Sequence, residues 1–335
     1  MDKLFDLLSA AQKDWLQQTS QPDWVAPMLA TLTDRRFSAE DWIYERKLDG
    51  ERCLAFRQGG EVTLLSRNQK SLNTQYPELV PALAAQEQGH FIVDGEVVAF
   101  DGPVTSFAKL QDRMHLQDAD EARQTGVKVF YYIFDLLYLD GYDVSRVPLR
   151  ARKKLLKAAL DFQDPLRYVP HRNRDGEAYF QQACHKGWEG IIAKDANAPY
   201  VHSRSRKWLK FKCVRQQEFV IGGYTEPHGE RIEFGALLLG YYRDGKLKYA
   251  GKVGTGFDDK TLKRLGNRLA KLEQDKPAFD DGDLPTQGVH WAAPELVAEI
   301  GFEEWTTAGK LRQPRYLGQR QDKDPQEVKR ERPEA

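Results

Sequence analysis

The chain has 335 residues, 41% of them hydrophobic and 30% charged, with 50 basic and 50 acidic side chains giving a formal net charge of zero. That length exceeds the usual single core and predicts two domains, and the composition is that of an ordinary globular protein rather than a disordered or fibrous one. No apolar run approaches a membrane span, and zero net charge argues against a generic basic coat for nucleic acid.

In chain order, residues 4–16 carry a short amphipathic helical pattern whose charges, Asp6 among them, do not suit a signal peptide, so a cytosolic location is expected. Residues 42–48 and 52–56 read as strands, and Asp49-Gly50 between them is a common hairpin signal that the chain also uses elsewhere, as at Asp94-Gly95 and Asp244-Gly245. Helical patterns follow at 77–86 and 150–160, and the apolar run 130–137 predicts a buried central strand. In the run Trp208-Leu-Lys210-Phe-Lys212, alternation sends both lysines to one face and Leu209 and Phe211 to the other. Glu189 and Lys194 are five apart, which in a regular strand would send them to opposite faces. Either Glu189 precedes the strand or Gly190 marks a bulge, and both side chains are expected to reach one site.

A domain boundary is predicted at 214–217, dividing the chain into 1–215 and 216–335. Beyond it, strands at 219–224, 236–242 and 246–253, a helix at 259–272 and further strand near Trp291 and at 302–305 suit a small barrel of the oligonucleotide-binding type, the OB-fold. The first part reads as α+β, with antiparallel-rich sheets and flanking helices. The charged tail from Asp324 is expected to fray. Cys53, Cys184 and Cys213 lack any metal-ligand spacing and read as reduced packing residues. Two basic runs, Arg204 to Arg215 and Lys310 to Lys323, are suited to holding a phosphate backbone.

Seven segments in fixed order then carry a resemblance: Glu45-Arg-Lys47-Leu-Asp-Gly-Glu-Arg52, Ser66-Arg67-Asn68, Val93-Asp94-Gly95-Glu96, Tyr132-Ile133-Phe134-Asp135, Glu189-Gly190-Ile-Ile-Ala-Lys194, Trp208-Leu-Lys210-Phe-Lys212 and Arg320-Gln-Asp322-Lys323. Together they resemble the ATP-dependent DNA ligases, most closely the ligase module of bacterial end-joining ligases and their stand-alone relatives. The resemblance implies an adenylation (nucleotidyltransferase) domain followed by an OB-fold domain, in an enzyme that seals 5′-phosphate/3′-hydroxyl nicks through lysyl-AMP and adenylated DNA. It implies Lys47 as the nucleophile toward ATP, Glu45 reading adenine, Phe134 stacking on the base, and Arg52, Arg67 and Glu96 around the ribose. Glu189, with Glu96, is implied to serve Mg²⁺ or Mn²⁺; Lys194, Lys210 and Lys212 to neutralise phosphate; and Arg320, Asp322 and Lys323 to orient the pyrophosphate leaving group. Nicked double-stranded DNA is the implied substrate, a DNA-end-binding protein such as Ku a possible recruiter, and a monomer the expected state.

The chemistry accounts for that set. An amine attacks phosphorus only when neutral, whereas free lysine is almost wholly protonated at pH 7, and neighbouring cations favour the neutral form while stabilising the transferring phosphate. The chain has no Walker-type phosphate loop, which suits a covalent-lysine enzyme. An RNA ligase or capping-type guanylyltransferase shares the Lys-x-Asp-Gly opening, and a non-catalytic nucleic-acid binder would need no lysine at 47.

Overall fold

The structure is a computed structural model and describes residues 3–227, 232–280 and 283–332. One compact unit runs to Cys213 and a second from Val214 to Glu331.

The first unit holds two sheets. The larger has eight strands, with His90–Asp101 between Glu51–Gln58 and Val129–Leu139 at its centre. The smaller orders His171–Asn173, Trp42–Lys47, Gly190–Asp195, Arg204–Lys212 and Leu29–Leu32. Val129–Leu139 is buried on both faces because Tyr131 and Ile133 join the core under the helix Leu149–Ala159, while Phe134, Leu137 and Tyr138 pack with Met28, Tyr200 and Trp208. That second cluster draws residues from both sheets, so apolar burial fixes one against the other.

Asp49-Gly50 is not a hairpin turn. Trp42–Lys47 pairs within the smaller sheet and Glu51–Gln58 within the larger, so the dipeptide carries the chain from one sheet to the other. Asp49 accepts from the Phe107 amide at 3.2 Å, and a Cβ on Gly50 would lie 2.2 Å from the Val97 carbonyl oxygen. Close backbone approach, not hairpin geometry, requires the glycine. At the start of the chain the expected single helix is two short pieces, Lys3–Leu7 and Ala10–Lys13, because Ser9 and Gln12 form a capping box that begins a new turn.

In the second unit, Gln216–Thr225 lies between Leu237–Arg243 and Val289–Gly301 in a six-stranded antiparallel sheet, with Lys246–Val253 hairpinned through Asp244-Gly245. The helix Asp259–Lys271 is capped by Asp258 and turns Leu262, Leu265 and Leu269 into the core. The tail does not fray over its described part: Val328 is buried, and Gln217 bonds to both the Lys329 carbonyl and the Glu331 amide. The expectation for residues 333–335 lies outside the described residues. Among the described residues no helix is long and apolar enough to cross a membrane.

Candidate active site

One face of the smaller sheet gathers the chemistry. Alternation along Trp42–Lys47 turns Tyr44 toward Tyr179, Ala183, Ile191 and Phe211, an apolar cluster built against the helix Gly176–His185. Ile43, Glu45 and Lys47 take the other face. Antiparallel register then aligns Lys47 with Gly190 and Lys212, Glu45 with Ile192 and Lys210, and Ile43 with Lys194 and Trp208. Five of the predicted polar residues therefore share one surface, and the expected parity of Lys210 and Lys212 holds.

Glu189 joins them although it lies outside the strand, which begins at Gly190. Gly190 has φ +149°, a left-handed backbone that turns the chain so that the Glu189 carboxylate hydrogen-bonds the Lys47 ammonium. Of the two, Glu189 is almost buried and Lys47 is 21% exposed, so the lysine keeps access to solvent and substrate. A Cβ at Gly190 would lie 2.0 Å from the Phe211 carbonyl oxygen. Gly190→Ala is therefore expected to cost about 1–3 kcal/mol in strain and to swing Glu189 off Lys47. The temperature of thermal denaturation would fall; a variant with an unchanged melting temperature would refute the assignment.

Glu45 sits deeper, 2% exposed, with its two oxygens divided between ammonium groups. Lys153 hydrogen-bonds Oε1, and Lys194 meets Oε2 at 2.6 Å. Burial pushes the Glu45 carboxyl up, but the two lysines more than offset this and hold it below the ordinary range. Lys194 is depressed chiefly by burial, against the pull of Glu45, and its ammonium lies 4.2 and 4.0 Å from the ring centroids of Phe134 and Trp208. Lys194 thus stands beside Glu45 and the aromatic rings, two register rows from Lys47 and Lys212.

On the larger sheet, Arg52 grips Asp94 with two bonds of 2.5 and 2.6 Å and lies 4.7 Å from the Phe134 ring centroid. Tyr200 donates to the same carboxylate at 2.6 Å. Asp94 is completely buried and committed to these partners, whereas Glu96, on the same face and opposite Arg52 in register, is half-buried. Arg67 follows the edge strand Glu61–Ser66, whose Ser66 pairs with Cys53 next to Arg52. Phe134 is 8% exposed, lies between Arg52 and Lys194 and meets Trp208 edge-on.

The family described as ATP dependent DNA ligase domain matches residues 27–212, and the ATP dependent DNA ligase C terminal region matches residues 230–323. The chain belongs to the ATP-dependent DNA ligase family. Among curated relatives, the multifunctional non-homologous end joining protein LigD of Pseudomonas aeruginosa is 38% identical over 94% of this chain and 38% of its own length. A DNA ligase of Hyperthermus butylicus is 30% identical over 85% of this chain and 52% of its own. The chain thus spans about two fifths to one half of these relatives. A solved structure of mycobacterial DNA ligase D complexed with ATP and MES is 36% identical, covers 92% of this chain and 98% of its own, and superposes with a TM-score of 0.67. The first unit is accordingly a nucleotidyltransferase domain and the second an OB-fold-type domain.

Several residues of this site escaped sequence reasoning. Arg152 and Lys153 fall in the predicted helix at 150–160 with no role assigned, and both are buried, Arg152 against Asp135 and Lys153 against Glu45. The signal lay in the adjoining apolar positions Leu149, Leu155 and Leu156, whose stripe turns this side of the helix inward. The cysteine reading is also corrected: Cys184 and Cys213 form a disulfide, with Cα atoms 5.2 Å apart, and Cys53 alone is free. Their distance in sequence hid a contact between the end of the helix Gly176–His185 and the residue after Lys212.

The remaining predicted residues lie in the second unit. There Arg320 forks onto Asp322 at 2.9 and 2.7 Å, with Glu299 3.8 Å away, and Lys323 meets Glu218 at 3.5 Å. Among the described residues no three His, Cys, Asp or Glu side chains are grouped to hold a metal. A magnesium ion usually needs only one or two carboxylates beside substrate phosphates. Glu189, which already holds a cation in the Lys47 ammonium, fits that role.

Proposed function

We propose that the chain joins DNA at 5′-phosphorylated nicks with ATP. The Lys47 amine attacks the α-phosphorus, forming a P–N bond as the α–β anhydride breaks and pyrophosphate leaves. A 5′-phosphate oxygen at the nick next attacks the same phosphorus, breaking the P–N bond and forming an anhydride with AMP. Finally the 3′-hydroxyl attacks the 5′-phosphorus, forming the phosphodiester and expelling AMP.

The observation that carries this reading is the row in which Lys47 and Lys212 flank Gly190, with the Glu189 carboxylate on the Lys47 ammonium. Glu189 is the acceptor at hand for the proton that Lys47 must lose. Lys210 and Lys212 face the same side and stabilise negative phosphate oxygens. Glu45 and Phe134 hold the base, Arg52, Arg67 and Glu96 the sugar, and Arg320, Asp322 and Lys323 serve the leaving pyrophosphate. Mg²⁺ or Mn²⁺, held by Glu189 with Glu96 and the ATP phosphates, supplies neutralisation of phosphate oxygens when bound.

The reading further assigns the chain to end-joining repair as a monomer, with a DNA-end-binding protein such as Ku as recruiter, because relatives bear end-joining names over the matched region. The test is sealing of a 5′-phosphorylated nick in duplex DNA with ATP and Mg²⁺, beside the same nick carrying RNA and beside GTP. Sealing of the DNA nick with ATP supports the reading; sealing confined to RNA would replace it with an RNA ligase.

A further inference from the structure

Lys153 is a buried charge that the chemistry above leaves unused. Rooted in the helix Leu149–Ala159, it reaches Oε1 of Glu45 from that helix. Besides Glu45, its ammonium donates to the Val169 carbonyl at 3.0 Å, lies 3.4 Å from the Phe134 carbonyl and stands 4.6 Å from the Tyr168 ring centroid. Every partner is an oxygen or a π-face, so the ammonium is held where it is.

Glu45 lies two residues before Lys47 on the same face, about 7 Å along the strand. A nucleotide reacting at Lys47 therefore has Glu45, Lys194 and Phe134 as the groups available to its base. An ionised carboxylate only accepts hydrogen bonds, whereas its protonated form can also donate. An ammonium only donates. Glu45 and Lys194 side by side thus present an acceptor next to a donor, complementary to a base edge on which a donor adjoins an acceptor.

We propose that Lys153 is a positioning residue for nucleotide choice: by pinning Oε1 it keeps Glu45 ionised and oriented beside Lys194, so that the site takes the 6-amino/N1 edge of adenine and refuses the 6-oxo/N1–H edge of guanine. The inference rests on the proposed reaction of ATP at Lys47.

Without Lys153, Glu45 keeps one ammonium partner in a fully buried place, and burial then favours its neutral form. The other titratable groups facing Glu45 do not replace the lost charge: Tyr168 is raised by burial, and His171, its register partner, is depressed by burial. The sign follows. A carboxyl held low by Lys153 rises when Lys153 is removed, so the carboxylate needed for adenine is lost at a higher pH on acidification.

The experiment measures covalent labelling of the full chain by α-labelled ATP and GTP across pH, for the wild type, Lys153→Met, Lys153→Arg, Glu45→Gln and the Lys153→Met/Glu45→Gln pair. Lys153→Met is expected to lower the ATP-to-GTP labelling ratio about tenfold and to raise the acid limb of ATP labelling by about one pH unit. Lys153→Arg should restore both, and Lys153→Met should change neither further in the Glu45→Gln background. If Lys153→Met does not fold, Lys153→Gln, which keeps a donor without the charge, takes its place. Labelling by ATP with an unshifted ratio and acid limb in the folded variant would overturn the inference alone. A wild type labelled by neither nucleotide would overturn the ligase reading as well.

Discussion

A Lys47→Ala chain is expected to take up no AMP from ATP and to seal no ordinary nick, while still closing a nick whose 5′-phosphate already carries AMP. The substitution removes the attacking nitrogen, and the other lysines on that face cannot stand in for it. Lys212 lies across Gly190 in the next strand but one, and Lys194 stands two register rows away beside Glu45. Loss of a covalent nucleophile costs at least about a thousandfold in rate, against which a residual uncatalysed reaction is negligible. The retained closure of the pre-adenylated nick separates a missing nucleophile from a misfolded chain. Lys47→Arg sharpens the test, because guanidinium keeps a cation on Glu189 but stays protonated. It should be equally inactive toward ATP with a smaller loss of stability. Labelled protein resolved on a denaturing gel decides the matter, and an adduct surviving in Lys47→Ala would move the nucleophile elsewhere.

What the sequence made legible follows the range of the forces involved. Period-two alternation is local, so the shared face of Lys210 and Lys212 and the turn at Asp244-Gly245 could be read from neighbouring residues. The parity of Glu189 and Lys194 could be posed but not decided, because it depends on one dihedral at Gly190, which the Phe211 backbone of the next strand imposes. Asp49-Gly50 misled for the same reason: its local signal is that of a hairpin, and only pairing with distant strands sends its flanks to different sheets. Lys153 and the Cys184–Cys213 disulfide were hidden because side chains from segments far apart in sequence meet there. The ordered motif set named residues that come to share one face, and tertiary packing determined which charge meets which partner.

Arg152→Met is expected to destabilise the first unit by about 3–5 kcal/mol, the usual consequence of leaving one member of a buried ion pair behind. Arg152 and Asp135 are both completely buried and joined by bonds of 2.7 and 2.9 Å. The same guanidinium donates to the Val147 carbonyl at 2.6 Å and the Ala198 carbonyl at 3.2 Å. Asp135 belongs to a central strand of the larger sheet, and Ala198 to the chain just beyond Gly190–Asp195 of the smaller one. One planar cation therefore ties a helix to a central strand of the larger sheet and to the segment that follows Gly190–Asp195. Methionine matches the bulk but leaves the Asp135 carboxylate without its cation and takes a donor from the Val147, Ala198 and Ser145 carbonyls. For a unit of this size the loss corresponds to a fall in melting temperature of about 10 °C. Arg152→Lys should recover only part of it, since ammonium cannot fork onto Asp135 while reaching the carbonyls. Asp135→Asn added to Arg152→Met should also recover part, by removing the stranded charge. A melting point for Arg152→Met within about 2 °C of the wild type would show that the brace is dispensable, and the alignment of the two sheets would then rest on the apolar cluster around Trp208 and the contacts of Lys153.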